Sequence, residues 1–181
     1  WHDLPAGPNP PAEISVVVEI PKGSRNKYEL DKASGLFRLD RVLYSAVHYP
    51  GDYGFIPQTY YEDGDPLDAL VIVSEPSFPG CRIDARPVGL FEMRDPEVLD
   101  VKVLAVPLRD PLYEQVRRLD DVPAHFLREV EHFFAIYKEL EGVHTQALGW
   151  RGGEEARDVI AASLRRYDRE IRPGRPGAAR G

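Results

Sequence analysis

The chain contains the stretch Asp68-Ala-Leu-Val-Ile-Val73, whose last five residues are its longest unbroken aliphatic run. A short apolar run bounded by turn residues is typical of a fully buried strand. Turn-forming residues 63–66 (Asp-Gly-Asp-Pro) precede it. The run is too short to cross a bilayer, which needs about 20 apolar residues. It predicts a strand in the core of a β-rich domain.

The remainder of the chain extends this pattern and then changes period near residue 120. Further candidate strands are Ile14–Ile20, Leu36–Leu43, Arg86–Met93 and Asp100–Val106. Several short strands with frequent turns favour a closed barrel or a sandwich. Apolar residues then recur at helical spacing in two stretches, from Phe126 to Tyr137 and from Ala156 to Tyr167. The prediction is therefore a mainly β fold, a small barrel with two packed C-terminal helices.

Length and charge limit the organisation and the function. The 181 residues suit one domain, which we place at residues 13–172, with a barrel at 13–120 and a helical part at 121–170. A Pro-rich leader at 1–12 and a tail at 173–181 are expected to be flexible.

The net charge is −7, which opposes general binding to nucleic acid or anionic membranes. Cys81 is the single cysteine, and with no secretory signal we expect a reducing, cytoplasmic location.

The most specific feature is the carboxylate loop at residues 62–68, Glu-Asp-Gly-Asp-Pro-Leu-Asp. Clustered carboxylates repel each other unless a cation neutralises them, and Mg²⁺ prefers oxygen ligands. An acidic surface turn is the alternative for this loop. In a second acidic segment, Asp95 lies in a turn, and Asp100 and Lys102 are two residues apart on a predicted strand, so they should share one face.

Candidate anion-binding residues occur in several other segments. Lys27 and Glu29 would share a strand face, Arg41 lies in an apolar strand, and Tyr49 and Tyr53 flank a turn. Tyr137 and Lys138 end the first predicted helix. Each alone has an ordinary structural explanation. Together with metal-binding carboxylates, they suit phosphoryl chemistry, in which a metal activates water and cations stabilise the leaving phosphate.

These segments resemble the family I soluble inorganic pyrophosphatases, bacterial type, over about residues 14–170. The loop 63–68 resembles the signature Asp-x-Asp-Pro-x-Asp. Similar matches are residues 19–29 (Glu-Ile-Pro-Lys-Gly-Ser-Arg-Asn-Lys-Tyr-Glu), 39–41, 49–55, 95–107 and 132–141. The resemblance implies a five-stranded, OB-like closed barrel with flanking helices. It also implies Mg²⁺-dependent hydrolysis of pyrophosphate to two orthophosphates by a metal-activated water, and a homo-oligomer, typically a hexamer.

The resemblance also implies a role for each matching residue. Asp65 would be the general base, and Asp63, Asp68 and Asp100 the principal Mg²⁺ ligands. Asp95 would bind further ions, with Glu19 and Glu29 as outer ligands. The implied phosphate or substrate contacts are Lys27, Arg41, Tyr53, Lys102, Tyr137 and Lys138, and Tyr49 would support them from behind. Several ions per site are implied, for which Mn²⁺ or Zn²⁺ are possible substitutes. Pro96 stands where many members carry Glu, which puts an outer metal ligand in doubt.

Two other functions are open alternatives. One is an OB-type module that binds a nucleotide or single-stranded nucleic acid, which normally needs a basic groove with exposed aromatic side chains. The net charge of −10 over residues 1–149 opposes that function. The other is a phosphohydrolase of nucleoside polyphosphates, for which the sequence shows no base-recognition element.

Overall fold

The structure, a computed structural model, describes residues 1–95 and 98–174. Pro96, the residue that departs from the family pattern, lies outside the described residues, as does most of the predicted tail. Eight strands and two helices form the described part: β1 Ile14–Ile20, β2 Asn26–Leu30, β3 Phe37–Val42, β4 Asp52–Phe55, β5 Asp68–Val71, β6 Arg82–Asp95, β7 Val98–Pro107, α1 Ala124–Ile136, β8 Gln146–Gly152 and α2 Gly153–Glu170.

Five strands close into a ring in the order β1-β4-β5-β7-β6, since β6 also pairs with β1. Neighbours in the ring are antiparallel except β5 and β7, which are parallel. β8 continues the sheet from β6, and β2 and β3 form a separate two-stranded hairpin. The predicted mainly β, five-stranded closed barrel with two C-terminal helices is confirmed.

Close approach of β1 and β4 requires glycine at position 54. A Cβ there would overlap the carbonyl oxygen of Val17 and lie 2.9 Å from the Cα of Val18. Both atoms belong to the backbone of β1, so neither can move without breaking the pairing. Gly54 therefore lets the ring close at this point.

The core consists of two apolar clusters, each covered by one helix. One contains Phe91 and Leu104 together with Val130, Phe133 and Phe134 of α1. The other contains residues of β1, β5 and β7 together with Ala156 and Ile160 of α2. The helices thus cover different parts of the barrel, as their apolar stripes require.

The sequence patterns missed two strands, β4 and β8, and indicated β2 only through the expected shared face of Lys27 and Glu29. Every residue of β2 is only half-buried, so its sequence Asn-Lys-Tyr-Glu-Leu lacks a clear apolar alternation. β4 contains Gly54, and β8 contains Gly149 and Gly152, which reduce strand propensity. These strands are stabilised by pairing with neighbouring strands. Such pairing cannot be predicted from the local sequence of one strand.

The first twelve residues lie against the domain. The N–H of Ser15 donates to the carbonyl of Ala6 at 2.7 Å, and Ala6 is buried. Nδ1 of His2 is 2.7 Å from the hydroxyl of Tyr167 in α2. No helix within the described ranges is both long and apolar enough for a bilayer crossing.

Candidate active site

A cavity of about 330 Å³ opens beside the barrel, between the β2–β3 hairpin, the carboxylate loop and the end of α1. All fourteen candidate site residues predicted from the sequence line this cavity: Glu19, Lys27, Glu29, Arg41, Tyr49, Tyr53, Asp63, Asp65, Asp68, Asp95, Asp100, Lys102, Tyr137 and Lys138. Residues from segments more than 100 positions apart thus meet at one place.

The carboxylate loop is shaped by its own backbone. Gly64 has φ +88°, a left-handed conformation that glycine adopts without strain. The N–H of Asp65 donates to a carboxylate oxygen of Asp63 at 3.0 Å, and the carbonyl of Asp65 accepts from the N–H of Tyr61 at 2.8 Å. The loop therefore presents its carboxylates to the cavity before entering β5 at Asp68.

Lys102 lies at the centre of the carboxylates. It is opposite Asp68 across the parallel pair β5–β7, and its Nζ is 2.6 Å from Asp68 and 2.7 Å from Asp100. The predicted shared face of Asp100 and Lys102 is present. The hydroxyl of Tyr53 also donates to Asp68. The buried ammonium group is therefore a shared counter-ion of two carboxylates, which leaves a net negative charge at the base of the cavity.

Burial dominates the electrostatics of the carboxylates. It raises the pKa of Asp63 and of Asp100, and the nearby Asp68 raises both further. Burial also raises the pKa of Glu19 to about 7, against the opposing effect of the N–H of Leu30, which donates to it at 2.8 Å. These pKa directions mean that crowding of negative charge is unfavourable here, and an added cation would relieve it.

The tyrosines remain protonated donors. Burial, followed by the charge of Asp68, raises the pKa of Tyr53 well above its ordinary value. Burial and Asp95 do the same for the pKa of Tyr137. Both hydroxyls thus keep their proton at neutral pH and can donate to an anion or a carboxylate.

The hairpin contributes cations that are already held in place. Nζ of Lys27 contacts Glu29 and lies 3.2 Å from Asp40. The guanidinium of Arg41 is 2.7 Å from Asp40 and 3.1 Å from Glu141. Acidic side chains thus fix both cations, and Arg41 bridges the hairpin to the segment that follows α1.

The end of α1 completes the opposite wall. Lys138 forms an ion pair with Asp95 across the cavity edge. Tyr137 is buried, with its ring 5.4 Å from that of Phe133. The helix core therefore sets where Tyr137 and Lys138 lie relative to the barrel.

Comparison with known proteins identifies this arrangement. The sequence model of the family described as inorganic pyrophosphatase matches residues 16–168. The inorganic pyrophosphatase of Haloferax volcanii is 53% identical over 169 residues, which cover 93% of this chain and 96% of the relative. The chain belongs to the inorganic pyrophosphatase family.

Other inorganic pyrophosphatases agree with this assignment. The protein of a Nostoc species is 51% identical over 164 residues, 91% of this chain and 96% of its own. The crystal structure of inorganic pyrophosphatase from Thermus thermophilus superposes with a TM-score of 0.89 at 43% identity, covering 91% of this chain and 97% of that one. Both the predicted family and the predicted enzyme class, a hydrolase of phosphoric anhydrides, are confirmed.

The donor chemistry of this pyrophosphatase-family site suits a hard divalent cation. Asp63, Asp68, Asp95 and Asp100 all line one cavity, and carboxylate oxygens are the ligands such cations prefer. Within residues 1–95 and 98–174, no three His, Cys, Asp or Glu side chains are already grouped to hold a metal ion. The carboxylates of Asp68 and Asp100 contact Lys102, and that of Asp95 contacts Lys138.

Sequence reasoning missed several residues of the site. Lys32 and Trp1 line the cavity, and Asp40 and Glu141 hold Arg41. Asp40 is next to Arg41 in the sequence, so it could have been included as a candidate on that ground. Trp1 and Lys32 carry no such signal, because only the packing of the N-terminal segment and the β2–β3 turn brings them to the cavity.

Proposed function

We propose that this protein hydrolyses inorganic pyrophosphate to two orthophosphates with Mg²⁺ as cofactor. The observation that carries the proposal is one cavity, in a pyrophosphatase-family chain, whose lining combines carboxylates with Lys, Arg and Tyr donors. Such a lining suits a small, highly charged anion accompanied by cations.

The metal ligands proposed are Asp63, Asp68 and Asp100, with Asp95 for further ions and Glu19 and Glu29 as outer ligands. Bound divalent ions would neutralise phosphate charge and lower the pKa of a water molecule. The raised pKa values of Asp63 and Asp100 support this set, because a carboxylate whose charge is disfavoured by desolvation and by a neighbouring carboxylate gains from an added positive charge. Mg²⁺ is the proposed ion, and Mn²⁺ and Zn²⁺ the possible substitutes.

Asp65 is the proposed general base. Its carboxylate is more exposed than those of Asp68 and Asp100, and it lies where the loop meets the cavity. A carboxylate at the rim can orient a water and accept its proton as the oxygen attacks one phosphorus in line with the leaving group. The proton then resides on a side-chain oxygen of Asp65 until it is lost to solvent.

The cations hold the two phosphates. Arg41 and Lys138 both line the cavity and would stabilise the charge that develops on the leaving phosphate. Lys27, Lys102, Tyr53 and Tyr137 would contact the substrate, and Tyr49, whose ring is 5.3 Å from that of Tyr53, would support them. Asp40 pairs with Lys27 and Arg41, Glu141 pairs with Arg41, and Asp95 pairs with Lys138. These ion pairs hold the three cations in position, which reduces the entropy lost on substrate binding.

Four further predictions from the sequence belong with this proposal. The products and substrate are the partners, and neither nucleic acid nor a membrane is expected to bind. The chain is expected to act in the cytoplasm and to assemble as a homohexamer. The 13–172 domain would be the catalytic unit.

The test is phosphate release from pyrophosphate during a Mg²⁺ titration, with ATP as a comparison substrate. Wild type should release phosphate only with a divalent cation and should prefer pyrophosphate. D65N should lose about 10²–10⁴-fold in kcat while keeping the wild-type Tm, because the side chain is exposed. Absence of release by the wild type would refute the function, and full activity of D65N would refute the assigned base.

A further inference from the structure

Lys32 connects Asp65 with the N-terminal segment. It lies in the turn between β2 and β3, and its Nζ contacts a carboxylate oxygen of Asp65. The same Nζ is 5.7 Å from the centre of the Trp1 ring. All three side chains line the cavity. They therefore form a chain of contacts across its rim.

The Asp65 side chain needs such a partner. Hydrogen bonds fix its backbone, but 66% of the side chain is exposed. An exposed carboxylate can occupy several rotamers, and a base must be held in one geometry to be effective. Its contact with Lys32 selects among those rotamers.

An isolated ion pair at the surface restrains its partners only weakly, but Lys32 also packs beside a fixed aromatic ring. The Trp1 ring meets Tyr167 edge-on, with 5.4 Å between centroids. Tyr167 is buried in α2 and is bonded to His2, and the carbonyl of His2 accepts from Gln58 at 2.9 Å. The N-terminal segment is therefore anchored through the Trp1 ring and through His2, and the indole limits where the ammonium group can lie.

We propose that Lys32, braced by Trp1, is a positioning residue that holds the carboxylate of Asp65 in its reactive orientation. The inference rests on the proposed function, since it assigns a partner to the proposed base. Lys32 acts through Asp65 and does not itself exchange a proton.

A second role for Lys32 makes a different kinetic prediction. A cation at the rim could simply attract the pyrophosphate anion, and its loss would then raise KM and leave kcat unchanged. Loss of a positioning contact lowers kcat and leaves KM nearly unchanged. The two constants therefore separate positioning from binding.

The kinetic test uses K32Q, K32R and D65N. K32Q should lower kcat about tenfold with little change in KM, and K32R should recover most of that loss. In the D65N background K32Q should cause no further loss, because both changes act on one group. W1A should lower kcat by a smaller factor, and should add nothing to K32Q.

R82Q is the matched control. Arg82 has a side-chain exposure of 49%, against 47% for Lys32, and is also paired with an acidic residue, Asp84, but it does not line the cavity. The kcat and KM of R82Q should equal those of wild type. A rise in KM alone for K32Q, or an equal loss of kcat in wild-type and D65N backgrounds, would overturn the proposal.

A second readout does not depend on activity. The chain has two tryptophans, so W150F leaves Trp1 as the single tryptophan emitter when excitation is at a wavelength that tyrosine does not absorb. In that background, K32Q and D65N should each shift the Trp1 emission, and D65N should have no effect once Lys32 is replaced. Unchanged emission in both single variants would overturn the proposal even if no pyrophosphatase activity were found.

Discussion

Asp68 and Lys102 are direct neighbours across the parallel pair β5–β7, with Nζ of the lysine 2.6 Å from the carboxylate. Lys102 is buried, and although burial disfavours its charge, Asp68 and Asp100 outweigh that effect and raise its pKa. The ammonium group is thus the internal counter-ion of the carboxylate cluster. The two residues are 34 positions apart in the chain, so their pairing depends on the register of β5 on β7.

The first prediction concerns this counter-ion. K102M should destabilise the metal-free protein by up to about 3–5 kcal/mol, because it leaves the half-buried carboxylates of Asp68 and Asp100 without a positive partner. Thermal unfolding in the presence of a chelator measures the loss. Mg²⁺ should reduce it, since a bound cation restores the missing charge.

D100N in the K102M background is the matched control for that experiment. It removes one of the two uncompensated carboxylates and should recover part of the lost stability. A Tm for K102M equal to that of wild type in chelator would contradict the counter-ion role.

The second prediction concerns Tyr53, whose hydroxyl donates to Asp68. Y53F should lower stability by about 1–3 kcal/mol, the range for a hydrogen bond to a charged group. If Asp68 is a metal ligand, activity or metal affinity should also fall by about 10–100-fold. Steady-state kinetics over a Mg²⁺ titration measures both effects.

Tyr113 supplies the control for Y53F. It is half-buried outside the cavity, so Y113F removes a hydroxyl without touching a carboxylate of the site. Equal kinetic effects of Y53F and Y113F would mean that the Tyr53–Asp68 contact has no functional role.

The third prediction concerns Arg41, held by Asp40 and Glu141. R41Q should lower kcat/KM for pyrophosphate about 10–100-fold, chiefly through kcat, which corresponds to loss of a charge-assisted hydrogen bond to the developing charge. R41K keeps the charge but not the planar fork, so its kcat/KM should be intermediate. R151Q, which removes an exposed ion pair with Glu92 away from the cavity, should leave kcat/KM unchanged.

The fourth prediction concerns closure of the barrel at Gly54. G54A should cost about 4 kcal/mol or more, or prevent folding, since its Cβ overlaps the backbone of β1. G142A is the control: Gly142 has φ +78° but no atom within 4 Å of its Cβ position. It should lose only about 1–2 kcal/mol, the cost of a left-handed non-glycine residue. Denaturant unfolding of the two variants should rank them in this order, and a G54A protein as stable as G142A would contradict the close approach.

The local sequence predicted both helices and the strands that are rich in apolar residues, but it missed β4, which is fully buried and contains Gly54. β1, β5 and β7 are rich in buried apolar residues, and α1 and α2 have helical stripes that match their buried faces. β2 and β8 could not be predicted in this way, because their residues are largely half-buried or exposed and pairing alone holds them extended. Ring closure is equally non-local, since β1 must pair with both β4 and β6.

The amino-acid sequence by itself determined the chemistry of this protein: which carboxylates, cations and tyrosines are available, and the family whose motifs they match. Only the tertiary structure decided which of them touch. The register of β5 on β7 places Lys102 between two aspartates, and packing of the N-terminal segment on α2 places Trp1 beside Lys32. Motifs record residue types along the chain, whereas contacts between distant segments depend on strand register and core packing, which no short pattern contains.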